Sequence, residues 1–158
     1  MRAHVGQGLA CALLLAGTAQ AGPPHVDARD YPAPGAGHAR FVAAERRLER
    51  GFDNICGDTF CEGEYYNLRA MRLRCSVHQA SGAVGSCVWT FAGSQTWVRQ
   101  TGKIDVGHAM YACKLPLVAG TLLEQLLHLW EAGSPDDALD ASLPGSTVSV
   151  YEALTDCL

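Results

Sequence analysis

The sequence predicts an α+β domain: an N-terminal amphipathic helix, a three-stranded antiparallel meander and two C-terminal helices, fastened by three disulfides. Three observations predict it. Apolar residues recur at helical spacing before residue 56 and again after residue 120, they alternate with polar ones in between, and the cysteines of the expected mature chain are even in number. Consecutive antiparallel strands need only tight turns, whereas parallel strands need long crossovers, so this order places the helices on one face of a meander.

Residues 1–21 read as an export signal. Arg2 and His4 precede an apolar run from Leu9 to Ala16, and Ala19-Gln20-Ala21 is the small-x-small pattern of a signal-peptidase site. The run is far shorter than the ~20 residues a membrane span requires. Cys11 lies within the signal and leaves with it, and cleavage after Ala21 would leave 137 of the 158 residues, enough for one domain. Residues 22–37 hold four of the seven prolines and few apolar side chains, which predicts a flexible leader ahead of a single domain at 38–158.

The first helix starts at His38. Phe41, Ala44, Leu48, Phe52 and Ile55 share one face, and the helix is expected to stop near Gly51 or one turn later at Gly57. Arg40, Arg46, Arg47 and Arg50 cover the other side, with Glu45 and Glu49 as expected intrahelical partners on a solvated face. Met71, Leu73, Cys75 and Val77 then alternate with Arg72, Arg74, Ser76 and His78, the period of a half-buried strand. After a turn around Ser81-Gly82 the alternation resumes through Cys87, Trp89 and Phe91. A second turn at Gln100–Lys103 leads to a strand carrying Ile104, Val106, Tyr111, Cys113 and Leu115. Its apolar parity switches across Gly107, which predicts a bulge there. Thr121 and Glu124 form a capping-box pattern opening a leucine-rich helix up to about Trp130, and Ser149 and Glu152 open a short final one. The stretch 133–146 reads as an Asp/Ser/Pro-rich loop.

Cys56, Cys61, Cys75, Cys87, Cys113 and Cys157 are expected to form three disulfides in an oxidising compartment, so the protein is expected to be periplasmic or secreted. A simple hairpin centred on Ser81 sets Cys75 opposite Cys87, although a register shift would move them apart. The same geometry sets Cys113 opposite Trp89, free to reach another layer, with Cys157 a candidate partner. There is no CxxC or HxxxH spacing, so no metal and no cofactor is expected.

The segment ICGDTFCEG, the strands RLRCSV and CVWTFAGS, and LPG before the terminal helix resemble a family of small exported bacterial proteins with no assigned activity. The resemblance covers most of residues 52–158. It implies an architecture and an address, and carries no catalytic residue with it.

For function, the segment between the first helix and first strand is the expected contact surface. Asp53, Asp58, Glu62, Glu64 and Tyr66 lie within it together with Cys56 and Cys61, and a loop held by disulfides loses little entropy on binding. The four carboxylates with the Asn54 amide are hard oxygen donors that suit calcium, but their spacing departs from the calcium-loop pattern. Their other use is acid/base hydrolysis of a wall polymer or polysaccharide, with Trp89, Trp97 and Tyr66 as stacking rings. No G-x-S-x-G turn exists, and His78, His108 and His128 sit on ordinary helix or strand positions, so no catalytic residue is assigned. A formal charge of −4, or −5 without Arg2, speaks against nucleic acid and anionic lipid as partners. The reading is a disulfide-stapled binding domain for an unidentified protein or envelope component, such as an inhibitor, immunity-type or adaptor protein, with the small exported hydrolase as its alternative.

Overall fold

The computed structural model describes residues 24–56 and 65–158. It is an α+β fold: one four-stranded antiparallel sheet in the order β1-β2-β3-β4, with helices on one side. The strands are β1 (His25–Asp27), β2 (Asn67–His78), β3 (Val84–Val98) and β4 (Ile104–Lys114); the helices are α1 (His38–Cys56), α2 (Leu123–Glu131), α3 (Pro135–Asp140) and α4 (Val150–Thr155).

The amphipathic period of α1 does what it predicts. Phe41, Ala44, Leu48 and Phe52 are fully buried, and the Phe52 ring meets Phe91 at 5.0 Å and Trp89 at 6.2 Å between centroids. Burial of each Phe or Leu side chain among these stabilises the fold by roughly 1.5–3 kcal/mol. Gly51 does not end the helix. It lies where α1 crosses α3, and a Cβ there would sit 2.5 Å from the Pro135 carbonyl oxygen.

The meander forms as expected on β2, β3 and β4, but a fourth strand joins it from the expected leader. His25–Asp27 pairs antiparallel with Ser76–His78, and the Ala28 that follows is fully buried. Residues 25–30 are therefore part of the fold, because a three-residue strand needs only a free edge and one buried anchor, which composition does not reveal.

Cys75 pairs with Cys87 and is disulfide-bonded to it; Trp89 pairs with Cys113, which is bonded to Cys157. Of the three expected disulfides, these two lie within the described residues. Cys56 is disulfide-bonded as well, and Cys61 lies outside the described residues. The register shifts between Ala70 and Arg72, so Met71 is extra on β2 and is 51 % exposed instead of buried; Leu68 and Ala70 take the inward positions before the shift. No shift occurs at Gly107, since β3 and β4 pair continuously from Val98↔Ile104 to Val88↔Lys114. The parity switch there is real, but it means that β4 carries apolar side chains on both faces.

Three helices, not two, follow the sheet. Ser134 caps α3: its hydroxyl accepts from Asp137 N–H at 3.1 Å, and Asp137 accepts from Ser134 N–H at 2.7 Å, with Pro135 next in line. That box was present in the stretch expected as a loop. At α2 the expected Thr121/Glu124 box is displaced by one residue. Gln125 accepts the Leu122 N–H, while the Thr121 hydroxyl donates to Val118 O. The Ser149/Glu152 box of α4 forms in both halves.

The charged face of α1 is partly structural. Arg40 donates to both Glu124 and Glu131 of α2 at 2.7–2.9 Å, and Arg47 donates to the Trp130, Ala132 and Gly133 carbonyls. Arg47 thus satisfies the Trp130 carbonyl in the last turn of α2, which has no intrahelical donor, and two carbonyls just past the helix end. Glu45, expected on the solvated side, is buried and salt-bridged to Arg29 at 2.6 Å.

Candidate functional site

Of the expected contact residues, Asp53 and Tyr66 lie within the described residues. Asp53 is exposed on the last turns of α1, and Tyr66 is 75 % exposed just before β2, beside a shallow depression formed with Asn67, Ser94, Gln95 and Thr96. Asp58, Glu62 and Glu64 lie outside the described residues. Asn54 donates to Asp136 at 2.8 Å. Of the three expected stacking rings, Trp89 is buried in the core and Trp97 is 45 % exposed near the β3–β4 turn. Among the described residues no group of three or more His, Cys, Asp or Glu side chains is placed to hold a metal ion.

His78 Nδ1 lies 3.1 Å from the Ser81 hydroxyl and packs edge-on against His25, His128 lies 3.1 Å from Glu124, and His108 points to solvent from β4. Among the described residues, three carboxyl groups are displaced from their ordinary range, all downward. Hydrogen bonds from Arg40 hold Glu124 and Glu131 low, and hydrogen bonds within the α3 cap, chiefly from the Ser134 backbone, do the same for Asp137. These are the signatures of ion pairs and caps, not of a general acid.

A different surface emerges on the sheet itself. With α1 and α4 on the inner side, the alternation of each strand sends every second side chain to an outer face that no described helix covers. The pairing register defines that face. Arg69, Arg72 and Arg74 of β2 stand opposite Ala92, Thr90 and Val88 of β3, which stand opposite Met110, Ala112 and Lys114 of β4. Farther along, Thr96 and Val98 face Val106 and Ile104.

Two rows result. An arginine row runs along β2, and an apolar row runs along the β3–β4 side, where Val98, Ile104, Val106 and Met110 are 63–71 % exposed. Met71, displaced by the bulge, is exposed beside the arginines. Among the described strand residues on this face the one carboxylate is Asp27, which pairs with Arg74 at 2.7 Å. Arg72 approaches Glu45 no closer than 3.9 Å and keeps two thirds of its side-chain surface in solvent. A chain that is acidic overall thus presents one face whose charge is positive.

The signal for this face was in the sequence. Arginines at 69, 72 and 74 and the apolar Ile104, Val106 and Met110 were all visible, but a bulge at Gly107 would have turned Ile104 and Val106 inward. Without it, they remain outside. Among the described residues no helix is long and apolar enough to cross a membrane. Comparison of the chain with family models, with curated proteins and with solved structures finds no match to any of them.

Proposed function

We propose that this protein is an exported, disulfide-stapled binding domain, periplasmic or secreted, that uses the open face of its sheet to hold a protein partner presenting carboxylates around an apolar patch. The observation that carries the reading is that the arginine row on β2 and the apolar row on β3 and β4 share one face of the sheet, a face no described helix covers. Arginine and methionine are enriched in protein interfaces while lysine is depleted, and this face carries Arg69, Arg72, Arg74, Met71 and Met110 against one lysine. Guanidinium groups engage carboxylates bidentately, which gives orientation as well as attraction. The two disulfides keep such a face rigid, so little ordering entropy is lost on contact. The resemblance to small exported proteins without an assigned activity agrees with this address. The hydrolase alternative rests on Asp58, Glu62 and Glu64, which lie outside the described residues.

The test is comparative capture. The oxidised protein, its Arg69→Ala/Arg72→Ala variant and its Asp58→Ala/Glu62→Ala variant are immobilised and exposed to envelope and culture-supernatant proteins of the source organism. A stoichiometric partner retained by the wild type and the acidic-segment variant, but lost from the arginine variant, is the expected result. Retention by the arginine variant with loss from the acidic-segment variant would move the contact to the segment around Asp58.

A further inference from the structure

The free edge of β4 carries information that its side chains alone do not. At the two ends of the β3–β4 ladder, Arg99 N–H donates to Lys103 O and Leu115 N–H donates to Cys87 O. The register between these points is unbroken, so in an antiparallel ladder the odd-numbered residues of β4 exchange their backbone bonds with β3. The even-numbered residues, Ile104, Val106, His108, Met110, Ala112 and Lys114, therefore direct their N–H and C=O groups outward. Among the described residues, no group accepts from or donates to them.

Exposed edges are normally blunted by proline, bulges, short strands or charge. β4 has eleven residues, no proline and no bulge, and its outward-bonding residues include the exposed Ile104, Val106 and Met110. The other side of the sheet is treated differently. There β1 covers the end of β2, and the buried Glu45 carboxylate accepts the Leu73 N–H at 2.9 Å.

We infer that β4 pairs antiparallel with β4 of a second copy of this chain, joining two sheets into one across a two-fold axis. The second copy fits this edge for three reasons. A strand with alternate outward N–H and C=O groups is complementary to itself when antiparallel, and a two-fold axis through the middle of β4, near Ala109, enforces that direction. The axis sets Met110 of one copy opposite His108 and diagonal to Val106 of the other, so the exposed apolar side chains of the two copies flank one another on the joined face. It also sends the two Lys114 side chains, the charged groups of this row, to opposite ends instead of together. The joined open faces then form one surface, with an apolar band at the centre and an arginine row on each flank.

The measurement is sedimentation velocity of the oxidised protein over a micromolar concentration series, with two variants. His108→Pro removes an N–H that the β3 ladder does not use, the position at which an edge strand accepts proline. Val106→Lys places a charge among the apolar side chains that flank the axis. The expected result is a wild-type dimer, both variants at least about tenfold weaker in self-association, and thermal unfolding of the Val106→Lys monomer close to that of the wild type. A wild-type protein that stays monomeric at high micromolar concentration overturns the inference, and would leave the edge for a strand from another protein. A dimer that neither variant weakens overturns it too.

Discussion

Glu45 and Leu73 join the first helix to the sheet: one carboxylate oxygen of Glu45 accepts the Leu73 backbone N–H at 2.9 Å while the other meets Arg29 at 2.6 Å. The bond falls just past the register shift that leaves Met71 unpaired, so a side chain from α1 satisfies a donor that no strand reaches.

Replacing Glu45 with Ala is expected to be strongly destabilising. It strands a buried backbone donor and leaves Arg29, whose side chain is 12 % exposed, without its counter-charge. Loss of one partner of such a pair costs roughly 3–5 kcal/mol. Denaturant unfolding of Glu45→Ala, Arg29→Met and the double variant checks this. The double variant should be less destabilised than the sum of the two single variants, and simple additivity would show that the pair is not coupled.

Gly51 inverts a helix rule. In an exposed helix interior Gly→Ala stabilises by about 1 kcal/mol. Here the new methyl would meet the Pro135 carbonyl and the Leu139 side chain, so α1 and α3 would have to separate. Gly51→Ala is expected to lower stability by about 1–3 kcal/mol, read as a drop in denaturation midpoint. A gain would mean that α3 yields without cost.

The Arg40 clamp predicts a pH dependence. Glu124 and Glu131 have their folded-state pKa lowered, first by hydrogen bonds from Arg40. A lowered pKa contributes stability that is present above the unfolded value, about 4.3 for Glu, and is lost as pH falls through the folded value. All three side chains are more than a third exposed, so the contribution is discounted to roughly 0–1 kcal/mol per pair. Arg40→Ala should therefore lower the melting temperature at neutral pH, with the difference from wild type shrinking below about pH 4. A constant difference across that range would assign the loss to packing instead.

What the sequence determined by itself was whatever depends on near neighbours. The apolar period of α1, the alternation of β2 and β3, the Cys75–Cys87 hairpin and the Ser149 cap are each set by spacings of a few residues, and the structure reproduces them. The cap of α3 was equally legible at Ser134-Pro135-Asp136-Asp137. The facing of the first half of β4 was not, because Ile104 and Val106 satisfy the strand period on either side of the sheet. Which side is open depends on where α1 lies, and that is a contact between residues far apart in the chain. The same holds for β1, which exists because a free edge of β2 waits beside it, and for Glu45, whose charge belongs on a helix surface until Arg29 and the Leu73 N–H surround it. Local periodicity chooses the elements. Only packing decides which faces and edges remain uncovered, and in this protein those are the surfaces to which a function can be attached.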